Sequence, residues 1–230
     1  MRVYLLAHTP DPEKTIAMAA KLCYSPSDIG ELKEAVAGAS QESFLKKIIG
    51  MGHHSVLEHA NFTFGVEGIS RATSHQLVRH RLASYSQQSQ RYVKVGDEFE
   101  YVTPDTISSN PDHEKKFSDA VKMIHSVYSE LVASGIPAED ARYLLPNAAA
   151  TKIIITMNAR ELIHFFTLRC CERAQWEIRE MACHMLKLAR DLVPSIFSKS
   201  GPGCVRGKCT EGEMTCGRTE EIRAKFKNLS

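Results

Sequence analysis

The sequence predicts an α+β fold, with helices packed around a small antiparallel or mixed sheet in a single domain. Two observations support this. Three short segments read as strands, at Arg2 to His8, Ala60 to Ile69 and Lys152 to Met157, and longer segments with apolar residues at helical spacing separate them. A chain of 230 residues, 43% hydrophobic and 24% charged, can also bury the core such a fold needs. The domain is expected over residues 1–199, with a Cys- and Gly-containing tail over 200–230.

After the first strand, Asp11-Pro12-Glu13 opens a helix carrying Ile16, Ala19, Ala20 and Cys23. Further helical segments follow, and Gln41 to Met51 sets Phe44, Leu45, Ile48 and Ile49 on one side before Gly50 and Gly52 end the helix near His53. His53, His54, Glu58 and His59 then gather three imidazoles and a carboxylate. Such donors can hold a metal, but the zincin spacing of two histidines at i and i+4 around a glutamate is absent, so a loop of satisfied polar residues is expected. The strand from Ala60 alternates through Phe62, Phe64 and Val66, and Ser70 caps a helix to Arg81 whose Arg71, His75 and Arg79 make one polar stripe. Leu82 to Gln90 has no clean period and reads as an ordered loop.

Asn110-Pro111 starts the clearest helix, with Phe117, Ala120, Val121, Ile124, Val127, Tyr128 and Leu131 on its apolar face and Gly135 beyond it. A short helix from Pro137 to Leu145 and the strand from Lys152 lead to Asn158-Ala159-Arg160-Glu161, which has the form of a capping box. The helix it opens runs to about Cys171. Arg160, His164 and Cys171 share one side, while Arg169 falls on the apolar side with Leu162 and Phe165. A charge there needs a partner, either Glu172 or Glu177 in the chain or a bound molecule. Gln175 to Val193 forms the last long helix, with Ile178, Met181, Ala182, Met185, Leu188 and Leu192 as a core stripe.

Composition narrows the function classes. A formal charge of +2 is too small for sequence-independent nucleic-acid binding, and no apolar run approaches a membrane span, so a cytoplasmic protein is expected. Seven cysteines, two of them adjacent at Cys170 and Cys171, do not spell a secreted disulfide framework, and that pair reads as small packing side chains. In the tail Cys204, Cys209 and Cys216 could hold zinc with a fourth donor, but gaps of four and six residues match no zinc ribbon or finger. No metal ligand is assigned.

The stretch that carries chemistry runs from Arg79-His80-Arg81 to Arg91-Tyr92. Three bases precede a run of hydroxyl and amide side chains and a further arginine. Guanidinium forks match phosphate oxygens, and Ser and Gln add neutral hydrogen bonds, a combination suited to a nucleotide. A basic cluster at a helix C-terminus also has a bland origin in the dipole. Spelled as Arg-His-Arg, seven residues and then Ser89, however, the segment resembles the signature of the flavin-dependent thymidylate synthases. His53 with Glu58-His59, Arg142 before Leu145-Pro146, Asn158-Ala159-Arg160, and Leu168-Arg169 followed by Gln175-Trp176-Glu177 resemble further landmarks of that family, in order. The resemblance spans about His53 to Glu177.

What it implies is an α+β homotetramer that binds FAD between subunits and makes dTMP from dUMP. Methylenetetrahydrofolate would give the carbon and NADPH the reducing power, with neither nucleic acid nor membrane as partner. By the same resemblance Arg79, His80 and Arg81 would hold FAD, Ser86, Gln87, Asn158, Arg160 and His164 would lie along it, and His53 and Ser55 would stand nearby. Gln76, Gln87, Ser89, Gln90, Arg91, Arg142 and Arg169 would bind dUMP, with Arg169 catalytic at the pyrimidine. Ser86 and Gln87 depart from the Asn-Glu pair of some members, which bears on any role needing charge at Gln87. Two other readings use the same residues: a nucleotide- or RNA-binding regulator without catalysis, and a metal-dependent hydrolase built on His53, His54, Glu58 and His59.

Overall fold

A computed structural model of the chain describes residues 1–96 and 99–229; Ser230, assigned above to the tail, lies outside them. Among the described residues the order is β1 (Arg2–His8), α1 (Pro12–Leu22), α2 (Ile29–Ala37), α3 (Glu42–Gly50), β2 (Asn61–Ser70), α4 (Arg71–Leu77), β3 (Ala83–Gln87), α5 (Asp105–Ser108), α6 (Pro111–Ala133), α7 (Ala138–Ala141), β4 (Ala150–Asn158), α8 (Ala159–Arg169), α9 (Trp176–Leu192), α10 (Pro194–Phe197) and α11 (Thr219–Lys227). The strands form one sheet in the order β1-β2-β4-β3. Its pairing is antiparallel. Thr9 N–H donates to the Asn61 carbonyl at 2.9 Å, whereas Gly68 lies against Met1, so β1 and β2 run in opposite directions. The α+β expectation holds.

Two segments around the basic stretch differ from the sequence reading. Leu82 to Gln90 is not all loop, because Ala83–Gln87 forms the edge strand β3, half-buried and exposed in alternation. Its side chains are mostly polar on both faces, so no apolar period marks it. Helix α4 stops at Leu77 rather than near Arg81. The Tyr85 hydroxyl donates to the Leu77 carbonyl at 2.9 Å, satisfying an acceptor at the helix end.

The chain divides into two compact units. The first comprises Met1–Arg2, Val66–Arg79 and Tyr85–Ile154. Its main helix, α6, begins where the Asn110 side chain accepts from the N–H groups of Asp112 and His113. It ends at Gly135, whose φ of +95° is open to glycine without strain. Val121 and Tyr128 of α6 are buried, and the Tyr128 hydroxyl accepts from Val95 N–H at 3.2 Å.

The second unit comprises Val3–Gly65, His80–Ser84 and Ile155–Ser230. Phe62 of β2, Phe166 of α8 and Phe197 of α10 meet edge to face, with centroids 5.4 and 6.1 Å from Phe197. Met181 and Met185 are fully buried in α9, as a packing role requires. The segment after Ser200 folds onto this unit. Arg190 of α9 is almost fully buried, and its guanidinium donates to the carbonyls of Phe197, Ser200, Phe226 and Leu229. Ile222 and Phe226 of α11, a helix the sequence reading did not foresee, are 1% exposed.

Candidate active site

Eight of the expected site residues lie in the first unit. Gln76 and Arg79 come from α4 and the turn after it, and Arg79 is exposed. Alternation along β3 sends Ser86 and Gln87 to opposite faces. Ser86 is exposed, while Gln87 Nε2 donates to Thr151 Oγ1 at 3.2 Å. Beyond the strand, Ser89 Oγ accepts from Arg91 N–H at 3.1 Å, closing a turn, and Ser89 and Gln90 border a cavity with Lys94, Thr151 and Lys152. Arg91 pairs with the Glu139 carboxylate, and Arg142 Nε donates to the Glu139 carbonyl at 3.1 Å. The α7 turn thus gathers both arginines at one residue.

One group here escaped the sequence reading. Arg71 donates through Nη2 to the Gln88 carbonyl at 3.2 Å, but its Nε is buried with no hydrogen-bond partner. Burial, and then the charge of Arg142, depress its pKa. Two guanidinium groups close enough to repel, one with an unanswered buried donor, are arranged to receive an anion. In the sequence Arg71 is only one member of a polar stripe, and nothing local marks it.

The second unit holds His53, Ser55, His80, Arg81, Asn158, Arg160, His164 and Arg169. His80 and Glu161 are both buried, and His80 Nδ1 donates to Glu161 Oε1 at 3.1 Å. Arg169 Nε then donates to His80 Nε2 at 3.0 Å, so carboxylate, neutral imidazole and guanidinium form a chain. The sequence reading named Glu172 as one candidate partner for Arg169. Glu172 instead faces Arg179, Arg218 and Lys225. With both ring nitrogens engaged in this chain, His80 positions Arg169 from within. The capping expectation holds in part, since Asn158 Oδ1 accepts from Glu161 N–H at 2.9 Å. The Glu161 carboxylate goes to His80.

Arg160 Nη1 bonds Glu58 Oε1 at 2.5 Å, and His54 Nε2 lies 3.2 Å from the Ile49 carbonyl. Two of the donors considered for a metal, Glu58 and His54, are therefore engaged with protein. Arg81 and His164 are exposed, and Ser55 is exposed in a short 3-10 turn, Ser55–His59. His53 lies edge-on to Tyr24 at 5.9 Å, with its Nδ1 buried and unpartnered. Cys170 is fully buried, as expected, but Cys171 is only half-buried, because it lies past the end of α8 at Arg169 and faces the tail.

The first unit presents exposed arginines beside hydroxyl and amide donors, and the second a buried relay to a further arginine, donor sets of the class that suits anions. Comparison with known proteins makes this particular. A family model described as thymidylate synthase complementing protein matches residues 4–195. The chain is 57% identical over 231 residues, all of both chains, to a protein of Geobacter sulfurreducens named flavin-dependent thymidylate synthase. Relatives of the same name from Clostridium tetani and Thermococcus onnurineus are 45% and 44% identical, over 97% and 100% of this chain and 96% and 98% of theirs. The chain belongs to the thymidylate synthase complementing protein family. Among the described residues, no helix is long and apolar enough to cross a membrane.

Proposed function

We propose that the chain is a flavin-dependent thymidylate synthase. It makes dTMP from dUMP by reductive methylation, with methylenetetrahydrofolate as carbon donor, NADPH as reductant and FAD as cofactor, and it works as a homotetramer. The observation that carries the reading is the chain from Glu161 through His80 to Arg169. Glu161 fixes the His80 tautomer, the ring accepts from Arg169, and the rest of that guanidinium is held in one orientation. A fixed fork can donate to a uracil carbonyl, orient the ring and stabilise negative charge that develops on that oxygen in the transition state. In the first unit Arg71, Arg142, Ser89 and Gln90 offer donors for the phosphate and sugar.

The residues also fit FAD. The unpartnered buried Nδ1 of His53 and the exposed guanidinium groups of Arg79 and Arg81 suit a ligand with ring acceptors and a pyrophosphate. Asn158 and Arg160 would lie along it, and Ser86 and Gln87 would bound it. When bound, FAD supplies the two-electron redox chemistry.

The test is dTMP formation by the purified, flavin-loaded chain given dUMP, methylenetetrahydrofolate and NADPH. Product is expected only with all three, and a flavin-loaded protein that makes none ends the proposal. Arg169→Lys keeps a charge but loses the fork. It should retain flavin and its reduction by NADPH while dTMP formation drops about a hundredfold, the scale of one lost oxyanion donor. Wild-type turnover in that variant would remove Arg169 from the chemistry.

A further inference from the structure

Residues 200–218 carry two 3-10 turns, Gly203–Val205 and Gly212–Met214, and otherwise no regular structure. Irregular segments of that length are uncommon unless functional or fastened by something else. Cys204 is nevertheless buried, and the segment closes on a small cavity lined by Cys204, Cys209 and Cys216 together with Cys171 from beyond the end of α8. The cavity holds about 10 Å³, room for roughly one atom-sized occupant. All four cysteines are free thiols.

We infer that Cys171, Cys204, Cys209 and Cys216 form a tetrathiolate zinc site that fastens the segment after Ser200 to the end of α8. Four thiolates around one ion are the donor set of structural zinc, which prefers tetrahedral sulfur. The sequence offered three thiols, and the fold supplies the fourth. Three of the ligands lie past residue 195, where the family match ends, and none of the four is among the proposed active-site residues.

Two features beyond the thiols suit the ion. The Arg173 N–H donates to the Cys171 sulfur, the kind of contact that steadies a metal thiolate. Arg218 stands by Cys216 and Glu172 and offsets the negative charge left after two of four thiolate charges are neutralised. The four thiols line one cavity and none of them is in a disulfide. Among the described residues no three such side chains already stand in coordinating geometry. Binding therefore turns the thiolates inward by rotation about χ1, releasing protons as each Zn–S bond forms.

The experiment is done on the full, flavin-containing chain purified from zinc-supplemented cells. Elemental analysis should find about one zinc per chain, and X-ray absorption at the zinc edge should give four sulfurs at about 2.3 Å. The double variant Cys209→Ser/Cys216→Ser should lose the zinc and keep bound flavin. Less than about a tenth of an equivalent after reconstitution with zinc, a shell containing nitrogen or oxygen, a disulfide among these four in peptide mapping, or zinc retained by the double variant each overturns the proposal. If the variant does not fold, metal content and absorption of the wild-type protein decide the matter alone.

Discussion

Arg71 combines a buried, unanswered Nε with a like-charged neighbour in Arg142, and so costs stability until an anion arrives. A buried donor without a partner costs about 1–3 kcal/mol. Arg71→Met should therefore leave Tm unchanged or raise it in the substrate-free protein, while KM for dUMP rises about tenfold or more, at 1.4 kcal/mol per decade. A lower Tm with unchanged KM would make Arg71 structural. His80 supplies the pH dependence. Burial is the largest influence on its ring and depresses the pKa; Glu161 opposes this, and Arg169 adds to the depression. The unfolded chain then binds this proton first as pH falls through about 6.5, so the His80 contribution is complete above that pH and is lost below it. Tm should be flat from about pH 8 to 7 and fall below about 6.5, and the fall should be smaller in His80→Gln; equal slopes in the two proteins sink the assignment. The donor types of Ser89, Gln90 and Arg91 were legible in the sequence because they form one run. The partnership of His80 with Arg169 was not, because it joins positions 89 apart.

Among the elements, helices with strong ends were the most legible. Asn110 and Asn158 cap as their sequences suggest, because a cap needs only neighbours along the chain. Strand β3 was hidden, since an edge strand with polar side chains on both faces has no apolar period to detect. Helix α11 was missed for a related reason: its buried face is just Ile222 and Phe226, too few residues to outweigh the glycines and charges before it. Its docking depends on Gly201, where φ is +145° and an added Cβ would stand 2.8 Å from Phe226 Cδ1. Gly201→Ala combines backbone strain with overpacking, each costing about 1–3 kcal/mol. Denaturant titration should show that loss, with α11 exchanging its amide protons sooner. Unchanged stability would mean that Phe226 moves aside at no cost.

At the scale of the molecule, the groups assigned to FAD, including Arg79, Arg81 and His164, are exposed on the single chain. If a second subunit completes their site, flavin retention follows assembly. On dilution, flavin absorbance in sedimentation should leave the protein as the assembly dissociates, and a monomer sedimenting with a full complement of flavin refutes this. No pattern within one sequence encodes such a meeting of copies, which is why resemblance alone suggested it. Arg190 has a different consequence, one of timing during synthesis. Every carbonyl that receives its guanidinium lies between residues 197 and 229. As the chain leaves the ribosome, α9 emerges with that charge unsatisfied, and its last partner follows on the order of 2–8 s later at 5–20 residues per second. Until then Arg190 lacks the carbonyls of Phe226 and Leu229, so a nascent chain paused in this interval is the form that chaperones and proteases meet.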